Sequence, residues 1–317
     1  MILLPTARLG GRYTLSAIKS DGRVRPLCSF NNLVLDRMLS QITLVNTWLD
    51  ACQVGTSDVA PEATQTALVS PIAATANRIS ANSAAENVAP WRGYSQITYR
   101  FPVGAVTGII REVGIGETAT VGAAVNSRAL TPNVYGEAAD IELFSDEQLD
   151  VQYELSVYAP ANDIIGTCLV NGVEVGYTAR AALASNAMHW APYRSGSVAS
   201  SGQAVRALFA TGVGEHIVAH SGGLGAITSV PGGSSANFTS VTNITAGETD
   251  HKLTGIASWD LNAANFGAIR SLAFRYAVGT GTGGNSVGAY QVEFDTPIVK
   301  TSLDEFRAHI GMSWGRA

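Results

Sequence analysis

Two stretches of strict alternation constrain this chain more than any other feature. In "LDVQYELSVYAP" Val151, Tyr153, Leu155 and Val157 fall on one side of an extended backbone, and Gln152, Glu154 and Ser156 on the other. In "LDEFRAHIGMSW" Phe306, Ala308, Ile310, Met312 and Trp314 alternate with Arg307, His309, Gly311 and Ser313. Successive side chains of a strand point to opposite faces, so this period predicts half-buried antiparallel strands. "YSQITYRFPV", "GIIREVGIG" and "ADIELF" extend the pattern through the middle of the chain. Near the start, strands over Tyr13–Ile18 and Arg23–Cys28 flank a Ser20-Asp21-Gly22 turn, and Asn171-Gly172 signals a second hairpin.

The elements before the two alternating strands also correspond. "ITYRFPVGAVTGIIREVGIGETATVGAAVNSRAL" and "ASWDLNAANFGAIRSLAFRYAVGTGTGGNSVGAY" each run strand, Gly-containing turn, apolar strand and Gly-rich loop. Either the chain carries an internal duplication, or two unrelated β-domains share common strand chemistry. In both cases the expected architecture is all-β, with two tandem β-sandwich-like domains. The boundary is expected at Pro160-Ala161-Asn162-Asp163, giving domains 1–160 and 161–317. The Gly/Ser-rich tract over 195–247 is expected to form long loops on the second sandwich. One N-terminal helix is expected: Leu33, Leu35, Met38, Leu39, Ile42, Val45 and Leu49 recur at helical spacing, with Asn31 or Asn32 as the cap. The Pro- and Thr-rich stretch that follows reads as an ordered loop, with a short helical turn around Pro61–Leu68.

Charge separates this chain from ordinary soluble domains. Charged residues make up 14% of its 317 residues, against about 25% in a typical domain. Lysine occurs only at Lys19, Lys252 and Lys300, and the other 17 basic residues are arginines. Interface cores are depleted in lysine and enriched in arginine, so a surface covered by copies or partners accounts for the pattern. A nucleotide composition favouring Arg, Ala and Gly codons produces it equally well. The net charge of −5 leaves no basic stripe for nucleic acid. No apolar run reaches the length of a membrane-spanning helix, and "MILLPTARLGGR" lacks the basic start and apolar core of a secretory signal. Cys28, Cys52 and Cys168 are odd in number and widely spaced. They predict neither a disulfide framework nor a zinc site, and fit buried free thiols in a protein made in a reducing cytoplasm.

Catalytic patterns are missing their key members. "HIVAH" spaces His216 and His220 like two zinc ligands, but Ile217 stands where a metalloprotease needs glutamate. "SGGLGAITS" and "VGTGTGGNSVG" lack the Gly-Lys-Ser/Thr that ends a phosphate-binding loop. No Gly-x-Ser-x-Gly elbow occurs. The carboxylates of "FSDEQLD" and "KTSLDEF" precede terminal strands, where they cap turns. No enzyme activity, cofactor or metal is expected. The residues singled out are instead interface candidates. Trp190, Tyr193 and Arg194 lie in "MHWAPYR", a cluster of types enriched at binding hot spots. Arg111, Arg128, Arg275 and Arg307 lie in or beside predicted strands, where an outward charged side chain meets water or a partner.

Residues 11–160 resemble a family of tail-associated virion proteins of tailed bacteriophages. The resemblance rests on ordered landmarks: "GRYTLSAIKSDGRVRPLCSFNNLVLDRML", "ACQVGTSDVAPEATQTAL", "TYRFPVGAVTGIIREVGIG", "NSRAL" and "EQLDVQYELSVYAP". It covers about half the chain. It implies a structural part of the tail tip, baseplate or fibre-attachment region, located in the virion, assembled as a homo-oligomer (a trimer first) with other tail proteins. The N-terminal domain would dock on the tail and the C-terminal domain would contact fibres or other copies. A receptor- or carbohydrate-binding adsorption protein that meets the host surface through its C-terminal loops is the alternative. A capsid decoration or collar protein is a more distant one.

Overall fold

The computed structural model describes residues 1–41, 47, 49–86, 88–132, 139–182, 217–247, 251–276 and 287–317. The first half contains β1 (Ile2–Leu3), β2 (Ala7–Lys19), β3 (Val24–Asn31), β4 (Leu33–Val34), helix α1 (Asp36–Gln41), β5 (Ala51–Gly55), β6 (Pro71–Thr75), β7 (Arg78–Glu86), β8 (Arg92–Phe101), β9 (Gly108–Ile110), β10 (Glu112–Gly116), β11 (Val125–Leu130), β12 (Ile141–Leu143) and β13 (Glu147–Tyr158). The second contains β14 (Ile164–Val170), β15 (Val173–Ala181), β16 (Ile217–His220), β17 (Ser235–Asn237), β18 (Ser240–Gly247), β19 (Lys252–Trp259), β20 (Gly267–Tyr276), β21 (Val287–Lys300) and β22 (Phe306–Arg316). The all-β class expected from the alternation holds.

The two alternating stretches are β13 and β22. Val151, Tyr153 and Leu155 are buried, as are Phe306, Ala308, Ile310, Met312 and Trp314, while Val157 is half-buried and Ser156 and Gly311 of the opposite sets are buried as well. The Asn171-Gly172 hairpin joins β14 to β15 with φ of 51° and 80°, the left-handed pair that a tight two-residue turn requires.

Strand order repeats along the chain. One sheet runs β4-β11-β10-β5-β6, and another runs β14-β15-β21-β20-β16-β17. A long sheet runs β18-β19-β22-β2-β13-β8-β7, so that β13-β8-β7 and β22-β19-β18 flank β2. Replacing β4, β5, β6, β7, β8, β10, β11 and β13 by β15, β16, β17, β18, β19, β20, β21 and β22 reproduces every one of these neighbour relations. All of the corresponding pairs are antiparallel. The small β9–β12 sheet has no second-half counterpart among the described residues.

Three local expectations change. The helix begins at Asp36 rather than near Asn31. Asn31 ends β3, and Leu33-Val34 pairs with Arg128 and Ser127 of β11. Leu35 N then donates to Asn126 O (3.0 Å) and Asp36 N to Ala63 O (2.8 Å), so tertiary ladders claim a segment whose apolar spacing alone reads as helix. The remainder of the expected helix, 42–46 and 48, lies outside the described residues. Around Pro61–Leu68 there is a turn closed by Gln65 N donating to Glu62 O, without helix. The tract over 195–247 is not all loop: from 217 onward it supplies β16, β17 and β18.

The expected boundary at Pro160–Asp163 falls between β13 and β14, but hydrogen bonds tie its two sides together. β1 runs parallel to β22 (Ile2 opposite Ile310), and β2 continues along the same edge, with Ala7, Arg8 and Leu9 opposite Trp314, Gly315 and Arg316. β2 then pairs with β13 antiparallel, from Arg8–Tyr158 to Lys19–Glu147. The chain's last residues are locked against the first half: Trp314 Nε1 donates to Leu39 O (2.7 Å), Ala317 N donates to Leu9 O (2.8 Å), and Arg316 pairs with Asp36. One continuous apolar core includes residues of both halves.

Removal of a buried tryptophan costs about 3–5 kcal/mol. Trp314→Ala is therefore expected to lower the urea midpoint substantially, and Trp314→Phe, which keeps most of the packing but loses the N–H to Leu39, to lower it less. The core also holds Tyr13, Tyr99 and Tyr153, and Tyr13 and Tyr153 lie in contact at 4.9 Å between ring centroids. Burial raises the Tyr153 phenol to about 12 and Tyr13 and Tyr99 well above their ordinary range. An acid whose folded value is raised keeps its proton while the unfolded chain loses it, so stability falls as pH climbs through the unfolded phenol value near about 10. Alkaline titration followed by phenolate absorbance should show these tyrosines ionising together with unfolding.

Candidate interface surfaces

The seven candidate residues do not form one surface. Arg128 lies on β11 opposite Gly114 and points inward: its side chain and that of Glu112, two residues along β10, are both fully buried. Arg128 Nε donates to Glu112 Oε2 (2.9 Å), one terminal nitrogen donates to Gln65 Oε1 (2.8 Å), and the other donates to Val59 O (2.8 Å) while lying 2.7 Å from Glu112 Oε2 in the ion pair. Glu112 in turn accepts from Val69 N (3.1 Å) and Ser70 N (2.7 Å). This corrects the expectation of Arg128 at an interface. The pair clamps the Val59–Ser70 segment onto the β10–β11 ladder, which is why a Pro- and Thr-rich stretch is ordered without helix. The sheet makes room with Gly55, where a Cβ would stand 2.5 Å from both Glu112 Oε1 and Ser70 O.

Arg111 and Arg307 do reach the surface, and each has a carboxylate of its own chain. Arg111 grips Asp140 with Nε and a terminal nitrogen (2.5 and 3.1 Å), and Arg307 does the same to Glu305 (3.0 Å each). Arg275 occupies β20 opposite Gly288 of β21. Trp190, Tyr193 and Arg194 lie outside the described residues, as does His216. His220 is buried on β16, and Tyr177 is buried with its hydroxyl accepting from Leu3 N (2.8 Å), so Tyr177 belongs to the core and not to an exposed aromatic platform.

The acidic clusters cap turns. Glu147 is held in its charged form by the Arg25 guanidinium, which lowers its pKa, and it also accepts from Phe144 N. Asp304 is lowered by the Thr301 hydroxyl and backbone N–H. No group of three or more His, Cys, Asp or Glu able to hold a metal occurs among the described residues. No helix among them is long and apolar enough to cross a membrane.

Surface depressions occur at two places among the described residues. An open groove of about 700 Å³ is lined by Thr56, Ile72, Thr107, Ile109, Arg111 and Glu142. A corner cavity of about 240 Å³ lies between the end of β14 (Cys168, Leu169, Val170) and the start of β22 (Phe306, Arg307, Ala308, His309), with Met1 and Ile2 at its side. The most exposed apolar strand positions near that corner are Ile165 (82% exposed) and Leu169 (68%) on β14, with Val173 (64%) at the start of β15. The Arg-centred reading of the sequence passed over them. Their signal was nonetheless present in "IIGTCLV", where both alternating sets are apolar or neutral although only one of them can face a core.

Comparison with family models, with curated proteins and with solved structures found no match.

Breaking a buried pair by truncating one partner costs about 3–5 kcal/mol, whereas replacing both with apolar groups of similar volume costs far less. Arg128→Met is expected to destabilise strongly and the Arg128→Met/Glu112→Leu double variant to regain much of the loss, measured as a double-mutant cycle in urea. Arg111→Ala should leave the midpoint essentially unchanged, because its pair with Asp140 is solvent-screened.

Proposed function

We propose that this chain is a non-enzymatic structural component of a bacteriophage tail, in the tail tip, baseplate or fibre-attachment region. Two β-sandwich repeats, residues 1–160 and 161–317, descend from an internal duplication. The recurring strand order supports the duplication, because the neighbour relations of eight strands coincide in both sheets. The observation that carries the tail reading is where the family landmarks sit. "GRYTLSAIK" and "RVRPLCSFNN" form β2 and β3, "TYRF" belongs to β8, and "EQLDVQY" opens β13, so these landmarks occupy neighbouring strands of one sheet, β3-β2-β13-β8. The stretches "ACQVG", "REVGIG" and "NSRAL" occupy the neighbouring strands β5, β10 and β11 of the sheet packed against it.

The chain's work is then to pack: against copies of itself in a symmetric assembly and against neighbouring tail proteins. The first repeat docks on the tail and the second presents its outer face to fibres or further copies. Negative-stain imaging of virions labelled with antibody to this chain tests the proposal. Label at the tail tip or baseplate is the expected result. Label on the capsid or collar, or its absence from purified particles, would overturn it. Label at the distal fibre tip, with release by soluble host-surface glycan, would favour the adsorption-protein alternative.

A further inference from the structure

Exposed sheet edges invite pairing with other chains, and proteins block them with charges, prolines, bulges or shortness. Most edges here carry such a device. β3 has Arg25 and Pro26, β6 opens on Pro71, and β7 carries Arg78 and Glu86. β4 has two residues and β17 three, while β18 shifts register between Thr242 and Thr245. β14 has none of these. It is seven residues long, "IIGTCLV", without charge or proline, and it pairs with β15 without a break in register.

The first half shows what covers this position. β2 and the run β3–β4 form the hairpin that corresponds to β14 and β15, since β15 pairs with β14 as β3 does with β2, and with β21 as β4 does with β11. The second edge of β2 is covered by a ladder of twelve residue pairs with β13. Among the described residues no strand is hydrogen-bonded to the second edge of β14: β22, the counterpart of β13, pairs instead with β1 and β2, and Met1 and Ile2 approach only the Cys168–Val170 end. The edge is also self-complementary. In an antiparallel pair of two β14 strands centred on Thr167, Ile164 stands opposite Val170, Ile165 opposite Leu169, and Gly166 opposite Cys168, each twice. The outward row is then Ile165 and Leu169 in cross-strand contact, and no like charges meet.

We propose that β14 is a homodimerisation edge, pairing antiparallel with β14 of a second copy about a two-fold axis at Thr167, so that the two six-stranded sheets become one. The inference shares with the tail reading only the premise that copies of the chain meet. The pairing is isologous and builds a dimer, so a trimer requires a separate head-to-tail face. An interface made largely of one strand pair belongs to the small class, below about 1,200 Å² in total, so the dimer is expected to depend on concentration.

Sedimentation velocity of the purified full chain over a concentration series tests the edge. Ile165 and Leu169 point outward, so changing them leaves the core intact, which circular dichroism checks. Ile165→Lys/Leu169→Lys sets lysine against lysine twice across the axis and is expected to give monomers. Ile165→Lys/Leu169→Glu sets lysine against glutamate twice and is expected to restore the dimer. In addition, Thr167→Cys should form an intermolecular disulfide on mild oxidation, since directly opposed strand residues lie at about 4.5–5.5 Å between Cα atoms. A wild-type chain that stays monomeric throughout the series overturns the proposal. So does an oligomer that survives the Lys/Lys change, or identical behaviour of the two double variants. The purified chain answers the question of the edge and labelled particles answer that of location, so one can fail without the other.

Discussion

The short run Ala7–Leu9 holds the long sheet together, because β2 must there satisfy hydrogen bonds on both of its edges. On one side Arg8 and Leu9 face Gly315 and Arg316 in a parallel ladder, and on the other they face Tyr158 and Val157 in an antiparallel one. A strand parallel to one neighbour and antiparallel to the other forces those neighbours, β22 and β13, to run in opposite directions. β13 and β22, the last strands of the two halves, thereby run in opposite directions on either side of β2 in the middle of the long sheet. Parallel pairing needs no local turn, so this contact closes a loop of roughly the whole chain. Pairing between residues so far apart in the chain is the kind that slows folding.

That closure explains why the sequence reads as two domains while the structure joins them. Each half has its own alternating terminal strand and its own smaller sheet, and nothing local in residues 160–163 marks the shared seam. The long-range partner of Ile2 is Ile310, and no periodicity encodes that. The strands themselves were legible wherever one face is buried, as in β8, β13 and β22, because alternation is imposed by the core. The start of the helix was over-read for the complementary reason: Leu33 belongs to the apolar set read at helical spacing, but the ladder with β11 uses Leu33-Val34 as strand. Of the interface candidates, Arg128 was misplaced because sequence shows a charge and not its partner. The carboxylate that buries it, Glu112, lies sixteen residues earlier on the adjacent strand.

Arginine's excess over lysine also acquires an internal cause. The ion pairs between described residues all use arginine, including pairs that bridge strands with two nitrogens on one carboxylate, as Arg100 does to Asp150 (2.7 Å each) and Arg25 to Glu147. Asp150 and Arg100 stand directly opposite in the β13–β8 ladder. A planar fork can grip a carboxylate across a strand pair and a lysine point charge cannot, so the substitution of one for the other is not neutral here. Arginine enrichment therefore does not by itself argue for contact with other chains, and Arg111 and Arg307, already paired, are poor witnesses for it.

What the arginines do not explain is where charge is missing. A codon bias would thin lysine evenly over all exposed strands, yet β7 and β3 keep charged residues at their edges while β14 keeps none. Edge strands are where an absent charge has the largest consequence, since open N–H and C=O groups already favour pairing there. An uncharged edge with Ile165 and Leu169 in water is unfavourable for a monomer and favourable for a strand partner, and in the first half of the chain β13, laid along β2, supplies such a partner from within the chain. The low charge of the chain and the unpaired edge of β14 among the described residues thus converge on one strand.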